Sequence, residues 1–152
     1  MSPDTDIIAA TVDDASAVVS LWKACGLVVD YNPPMADFLR AVEQPSSTVL
    51  LAYEGDELVG SVMVGDDGHR AWIYYLATDP AHQRSGIGQR LVAAAEAWAA
   101  ARGARKIQLM IRPSNHPVKD FYLATGYSET PRLVMAKWLD KEMTNQQIKD
   151  RN

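Results

Sequence analysis

The run Gln83-Arg84-Ser85-Gly86-Ile87-Gly88-Gln89 contains the residue types best suited to hold an anion. Its two glycines allow backbone conformations and close approaches that other residues resist, so the amide N–H groups from Arg84 to Gln89 can all point at one anion. A helix that begins here adds the attraction of its dipole. Arg84 and Arg90 supply local positive charge, which suits a pyrophosphate better than a monoanion.

Two known phosphate-binding loops do not fit this run. A dinucleotide fingerprint G-x-G-x-x-G that begins at Gly86 would place its third small residue at Leu91, which is bulky. A Walker loop would need Lys and then Ser or Thr after its last glycine, but Gln89 and Arg90 follow Gly88. The run is therefore either an anion-binding helix start or a tight strand-to-helix turn with solvated arginines that binds no anion.

The elements around this run form a strand, glycine loop, helix and strand unit. Ala71–Thr78 is rich in β-forming residues, the alanine-rich run Gln89–Arg102 predicts a helix that stops at Gly103, and Lys106–Ile111 is a second apolar strand. A crossover of this kind is right-handed, and it makes the two strands parallel.

The flanking segments predict further helices and an antiparallel sheet. The predicted elements are a helix capped by Thr11 or Asp13 that ends at Gly26, a helix at Met35–Glu43, strands at Thr48–Tyr53 and Leu58–Val64, a helix that begins at Asn115 and ends at Gly126, and a strand at Leu133–Trp138. We expect a mixed α/β fold with about four helices, formed as one domain over residues 1–139 and followed by a polar tail at 140–152.

Composition excludes several classes of function. The 152 residues include 15 Lys and Arg against 19 Asp and Glu, a net charge of −4, so no overall basic field gathers nucleic acid or an anionic membrane. The longest apolar stretch, Leu91–Ala101, is far shorter than the roughly 20 residues that span a bilayer. The lone Cys25 cannot form an internal disulfide, and the acidic N-terminus lacks a secretory signal, so a cytoplasmic protein is expected.

Two motifs in order resemble the GNAT superfamily of acyl-CoA N-acyltransferases. Gln83, Gly86 and Gly88 match its signature Q/R-x-x-G-x-G/A. Asn115 followed by Phe121-Tyr122-Leu123-Ala124-Thr125-Gly126-Tyr127 resembles the next motif of the family, in which Asn opens a helix and Tyr precedes a Gly-aromatic pair. A finer resemblance, to the small bacterial YpeA-type members, is carried by Gly60-Ser61-Val62-Met63, Asp67-Gly68-His69-Arg70 and Leu21-Trp22.

The resemblance implies acetyl-CoA as the donor and assigns residues to it. The amides from Arg84 to Gln89 would hold the pyrophosphate, and the backbone of Leu76 and Thr78 would bond the pantetheine arm where the two parallel strands splay apart. Asn115 would bond the arm from the other wall, although it is equally suited to cap its helix. The implied cofactor-binding positions are Leu76, Ala77, Thr78, Gln83, Arg84, Ser85, Gly86, Ile87, Gly88, Gln89 and Asn115.

The implied reaction is an N-acetylation in a ternary complex, which needs few side chains. A neutral amine attacks the thioester, the amide of Ala77 or Thr78 donates to the developing oxyanion, and Tyr122 protonates the leaving thiolate. Many relatives place a carboxylate on the first parallel strand, but this chain has Trp72-Ile73-Tyr74-Tyr75 there. The base is therefore open between a water relay and a side chain from Asp66, Asp67, His69 or a tyrosine of that strand.

The acceptor would bind beside the first two helices, lined by Tyr31, Trp72 and Tyr74. Asp30 and Asp37 could attract a cationic amine or could simply be solvated, and the acceptor is a small molecule or a peptide amine. No metal is expected, because His69, His82 and His116 are not at metal-ligand spacing. The four tryptophans and the last apolar strand could pair two copies as a homodimer. Without the strand carboxylate, a silent CoA-binding sensor or interaction module is the alternative function.

Overall fold

The computed structural model describes residues 5–140, which form five strands and four α-helices. In chain order these are β1 (Thr5–Ala9), α1 (Ala15–Ala24), α2 (Pro34–Glu43), β2 (Ser47–Glu54), β3 (Glu57–Asp66), β4 (Ala71–Thr78), α3 (Ile87–Ala101), β5 (Ile107–Gln108) and α4 (His116–Ala124). Short 3-10 turns lie at Val12–Asp14 and Pro80–His82. The predicted polar tail lies outside the described residues apart from Asp140.

The five strands form one mixed sheet in which spatial order follows chain order, β1-β2-β3-β4-β5. The first four strands pair antiparallel, and β4 pairs with β5 in parallel. Turn chemistry fixes the β3–β4 connection, because Asp67 Oδ1 accepts from the N–H groups of His69 and Arg70, both at 2.8 Å. The predicted fold class, an antiparallel N-terminal part followed by a parallel pair, is confirmed.

Helices α1 and α3 cover opposite faces of this sheet, as alternation along β3 shows. Gly60 faces α3 so closely that a Cβ built on it would lie 2.8 Å from Leu91 Cδ1 and 2.9 Å from Ile87 Cγ2. The next residue, Ser61, faces α1, where its Oγ accepts a hydrogen bond from Trp22 Nε1 at 3.0 Å. Adjacent strand residues point to opposite faces, so α3 and α1 sandwich the middle of the sheet.

The face that carries α1 and α2 is built around large apolar side chains. Trp22 and Phe38 are fully buried and meet edge to face, with ring centroids 6.1 Å apart. Thr11 begins this layer with a capping box: its side chain accepts from Asp13 N, and its own N–H donates to Asp14 at 2.8 Å. The predicted choice between Thr11 and Asp13 as the cap is therefore settled for Thr11, on the 3-10 turn that leads into α1.

Three elements differ from the sequence-based expectation. The sequence pattern indicates no strand at β1, and β5 has two residues where an apolar strand was expected over Lys106–Ile111. The strand predicted at Leu133–Trp138 is wrong: the segment forms no strand, and Leu133 and Met135 are 88% and 87% exposed. Its apolar composition predicted a strand, but composition does not supply the hydrogen-bond ladder that a strand requires.

Contacts divide the chain into two compact units, Met1–Ser114 and Asn115–Asn152. The sheet and the first three helices belong to the first unit, and α4 belongs to the second. None of the helices within residues 5–140 is both long and apolar enough to cross a membrane.

Candidate active site

The glycine loop turns the chain from β4 into α3 through two left-handed residues. Gly86 has φ +85° directly before the first helical residue, and Arg84 has φ +66°. A left-handed conformation is natural for glycine and strained for arginine. Gly88 is not left-handed and lies in the first turn of α3, so the two glycines of the motif have different backbone conformations.

A row of amides in this loop donates to no acceptor among the described residues. The N–H of His82 donates to Asp79 O at 2.8 Å, and the N–H of Arg90 donates to Gly86 O at 3.1 Å. Between them, the N–H groups of residues 83–89 donate to no atom of residues 5–140. Free donors at the start of a fifteen-residue helix are what an anion requires of its site.

The two arginines of the loop have different environments. Arg84 is exposed, and its charge is available at the loop surface. The Arg90 guanidinium instead donates from Nη1 to Thr5 O at 2.8 Å, which ties α3 to β1. Of the two arginines expected to supply local positive charge, Arg84 is therefore available to an anion, whereas Arg90 stabilises the contact between α3 and β1.

The edge of β4 next to this loop is open. β4 and β5 pair only at Ala71 with Ile107 and at Trp72 with Gln108. Beyond Trp72, the β5 side of β4 has no strand partner within residues 5–140. This geometry matches the splayed pair expected from the sequence, and it leaves backbone groups along this edge of residues 73–78 available for an extended ligand, apart from Thr78 O, which accepts from Cys25 and Gln83.

A bulge at Tyr75 interrupts the other side of β4. The register with β3 shifts between the pairs Ser61–Ala77 and Met63–Tyr74, and Tyr75 takes φ +51°. Its ring stacks on Trp22 with centroids 4.0 Å apart and planes 9° from parallel, and its hydroxyl donates to Asp37 Oδ2 at 2.8 Å. Burial, followed by Asp37, raises the pKa of Tyr75, so the phenol stays a donor.

The end of β4 also contacts the single cysteine. Cys25 follows α1 and donates from Sγ to Thr78 O at 3.2 Å. Burial, and after it the charge of Asp79, raises the pKa of the Cys25 thiol, which keeps it neutral and a poor nucleophile.

His82 joins the loop to the β2–β3 hairpin through carboxylates. Its Nε2 lies 3.6 Å from Glu54 and 3.8 Å from Glu57, and its Nδ1 lies 3.8 Å from Asp79. Ligand-type atoms of Glu57, Asp79 and His82 lie within 4.8 Å of one another. Sequence spacing could not reveal this cluster, because its members come from two separate turns.

The residues proposed to line the acceptor site are not all together. Tyr31, in the segment between α1 and α2, accepts a hydrogen bond from Arg112 Nη2 at 3.0 Å. Tyr74 is 43% exposed on β4. Trp72 lies at the end of β4 away from the glycine loop, and its Nε1 donates to Asp67 Oδ2 at 3.3 Å.

Three of the candidates for the general base that takes the amine proton lie near Trp72, at the end of β4 away from the glycine loop. Asp66, Asp67 and His69 belong to the β3–β4 connection, whereas the glycine loop follows Thr78 at the opposite end of β4. The backbone N–H of Arg70, and then that of His69, lowers the pKa of Asp67. A carboxylate stabilised in its charged form and placed at this end is poorly suited to take a proton beside the loop.

The second unit contains the remaining predicted site residues. Asn115 Oδ1 accepts from Val118 N at 3.4 Å, which is the capping role that the sequence allowed for it. Tyr122 on α4 is 4% exposed and meets the rings of Phe121 and Tyr127 edge to face at 5.0 and 5.2 Å. Burial raises the pKa of Tyr122, so its hydroxyl keeps its proton through the physiological range.

Comparison with known sequences gives a family match over most of the chain. Residues 15–127 match the family described as Acetyltransferase (GNAT) family. The acetyltransferase ECA0875 of Pectobacterium atrosepticum is 37% identical over 127 residues, which cover 84% of this chain and 90% of that protein. The acetyltransferase SG1711 of Sodalis glossinidius is 38% identical over 115 residues, which cover 76% of this chain and 81% of that protein.

Solved structures share the fold at lower sequence identity. The aminoglycoside N-acetyltransferase AAC(6')-Iy in complex with CoA has a TM-score of 0.78 and 16% identity, over 91% of this chain and 99% of that one. An aminoglycoside acetyltransferase, meta-AAC0020, from an uncultured soil metagenomic sample and in complex with sisomicin, has a TM-score of 0.74 and 20% identity, over 91% and 97%.

Proposed function

This chain belongs to the GNAT acetyltransferase family, whose donor is acetyl-CoA, and we propose that it acetylates a primary amine by direct attack in a ternary complex. The observation that carries the proposal is the row of free N–H groups at residues 83–89, which provides donors for a pyrophosphate at the start of α3. The open edge of β4 beside it supports an extended arm bound at Leu76, Ala77 and Thr78. The proposed acceptor is a small-molecule or peptide amine. We expect the reaction to take place in the cytoplasm and to involve no nucleic acid.

The proposed reaction uses the protein for positioning and for two proton movements. The neutral amine nitrogen attacks the thioester carbonyl carbon, and a backbone amide of Ala77 or Thr78 donates to the oxyanion. The nitrogen then loses one proton to a water relay or to a tyrosine of β4, and the carbon–sulfur bond breaks. Tyr122 is the proposed acid, giving its proton to the thiolate and later regaining one from water. Burial raises the pKa of Tyr122, so the hydroxyl carries its proton before the thiolate forms.

A pair of glycine variants tests the cofactor site against simple backbone strain. Gly86 at φ +85° and Gly103 at φ +91° lie at opposite ends of α3, and alanine at either position should lose about 1–2 kcal/mol through the same left-handed strain. Acetyl-CoA at about 100 times its dissociation constant stabilises the wild type by roughly 2.7 kcal/mol, a rise of several degrees in Tm.

We expect Gly103→Ala to keep that ligand-induced rise and Gly86→Ala to lose most of it. An equal rise in both variants would remove the glycine loop from cofactor binding. Absence of any rise in the folded wild type would reject acetyl-CoA as its ligand.

A catalytically silent CoA-binding module is the second candidate, because β4 carries no carboxylate in its sequence Ala71-Trp72-Ile73-Tyr74-Tyr75-Leu76-Ala77-Thr78. Release of CoA thiol with a panel of primary amines separates the two candidates. Turnover that is lost in Tyr122→Phe while acetyl-CoA still stabilises the variant supports the enzyme. Stabilisation of the wild type without turnover of any amine supports the module.

A further inference from the structure

Asp37 on α2 is a half-buried carboxylate with a neutral partner. It accepts a hydrogen bond from Tyr75 Oη at 2.8 Å. No cationic side chain within residues 5–140 forms an ion pair with it. A partly desolvated negative charge of this kind is stabilised when a cation is supplied from outside.

The position of Asp37 connects it to the part of β4 proposed to bind the acetyl donor. Tyr75 is the bulged residue directly before Leu76, so its side chain links Asp37 to that backbone. Stacking on Trp22 fixes the ring of Tyr75, and Trp22 is itself held by Ser61, the partner of Ala77 across the sheet. Asp37 therefore lies about one tyrosine side chain away from β4, on the face that carries α1 and α2.

We propose that Asp37 binds a second positive charge of the acceptor, so that the preferred substrates are amines with more than one ammonium group. Tyr75 is the positioning residue that holds the carboxylate toward β4. The inference rests on the proposed function, because it specifies the acceptor class of the same site. One ammonium of the acceptor pairs with Asp37, and the other amine, deprotonated, is the one acetylated.

A purely structural role for the same hydrogen bond makes a different prediction. If the Tyr75–Asp37 contact only ties α2 to the sheet, its loss should affect every acceptor alike. A role in recognition should affect only acceptors that carry the second charge. Two acceptors that differ in one ammonium group therefore separate the two roles.

The test compares putrescine, a four-carbon diamine, with butylamine, its monoamine counterpart. CoA thiol release gives kcat and KM for the wild type, Asp37→Asn, Tyr75→Phe and the control Glu43→Gln, which removes an exposed carboxylate at the end of the same helix. We expect the wild type to prefer putrescine by about tenfold or more in kcat/KM, the range of a hydrogen bond between charged groups. Asp37→Asn should lose this preference through a higher KM for putrescine while butylamine is unchanged.

Tyr75→Phe should weaken the preference, and Glu43→Gln should retain it. Equal losses for both acceptors in Asp37→Asn, or a wild type without preference, would overturn the proposal. The melting temperature in saturating CoA with each amine measures the same preference without turnover, and equal shifts in the wild type and Asp37→Asn also overturn it. A wild type that acetyl-CoA does not stabilise rejects the proposed function instead.

Discussion

Replacing Gly60 with alanine should destabilise the contact between the sheet and α3. The added Cβ would lie 2.8 Å from Leu91 Cδ1, 2.9 Å from Ile87 Cγ2 and 3.0 Å from Ala77 O. Favourable separations between carbon atoms are about 3.5–4.0 Å, so the neighbours must move by roughly 0.6 Å or more. Leu91 and Ile87 are fully buried, and their side chains cannot turn into solvent to make room.

The size of the effect follows from this overlap. Overpacking a well-packed core costs about 1–3 kcal/mol, and the backbone oxygen among the three contacts places Gly60→Ala in the upper half of that range, about 2–3 kcal/mol. At roughly 2–4 °C per kcal/mol for a chain of this size, Tm should fall by about 4–12 °C. Since Ile87 is the first residue of α3, the displacement should also weaken acetyl-CoA binding.

Gly65 on the same strand provides the matched control. A Cβ there would meet Ser47 Cβ at 3.6 Å and Ser46 O at 3.7 Å, which are ordinary contacts. Gly65→Ala should therefore be neutral or more stable by about 0.4–1 kcal/mol, because alanine lowers the entropy of the unfolded chain. Urea unfolding measures both variants, and equal stability of Gly60→Ala and Gly65→Ala would refute the close approach of α3 to β3.

The indole of Trp22, the hydroxyl of Tyr122 and the thiol of Cys25 are each at least partly shielded from solvent, which should affect stability or reactivity. Trp22→Phe removes the donor to the fully buried Ser61 Oγ, which should cost about 1–3 kcal/mol in addition to the lost packing. By thermal unfolding, Ser61→Ala should cost less stability in Trp22→Phe than in the wild type, and fully additive effects would contradict the pairing. Because burial raises the pKa of Tyr122, its contribution to stability is complete below about pH 10 and falls as the pH rises further. The difference in unfolding free energy between wild type and Tyr122→Phe should therefore shrink as the pH rises above about 10, and a constant difference would contradict the burial. The raised pKa of Cys25 predicts slower alkylation by iodoacetamide in the native protein than in urea, whereas equal rates would show an exposed thiol.

Local signals predicted the elements next to the candidate site closely. β4 was expected over Ala71–Thr78 and is found there, because a turn at Asp67-Gly68 and the break at Pro80 limit it on both sides. The helix after the loop was expected from Gln89 and begins at Ile87, since left-handed Gly86 allows the chain to turn immediately before it.

Features that depend on distant residues could not be predicted in this way. The bulge at Tyr75 requires a non-glycine residue with positive φ, held by Trp22 and Asp37, which are 53 and 38 residues away in sequence. The same is true of β1, a five-residue strand at the sheet edge whose residues become a strand only beside β2. At Leu133–Trp138 the opposite error arises, because apolar composition predicts a strand where the chain forms none.

Because strand order follows chain order in this sheet, the first hairpins can form before the last strand exists. Hairpins β2–β3 and β3–β4 close over short separations, so they can form while the chain is still being synthesised. β5 can join β4 only after the glycine loop and α3 have been made, and then only through two residue pairs. The proposed cofactor cleft is therefore the boundary between early and late folding, and amide hydrogen exchange should be slowest in β3 and fastest among the strands in β5.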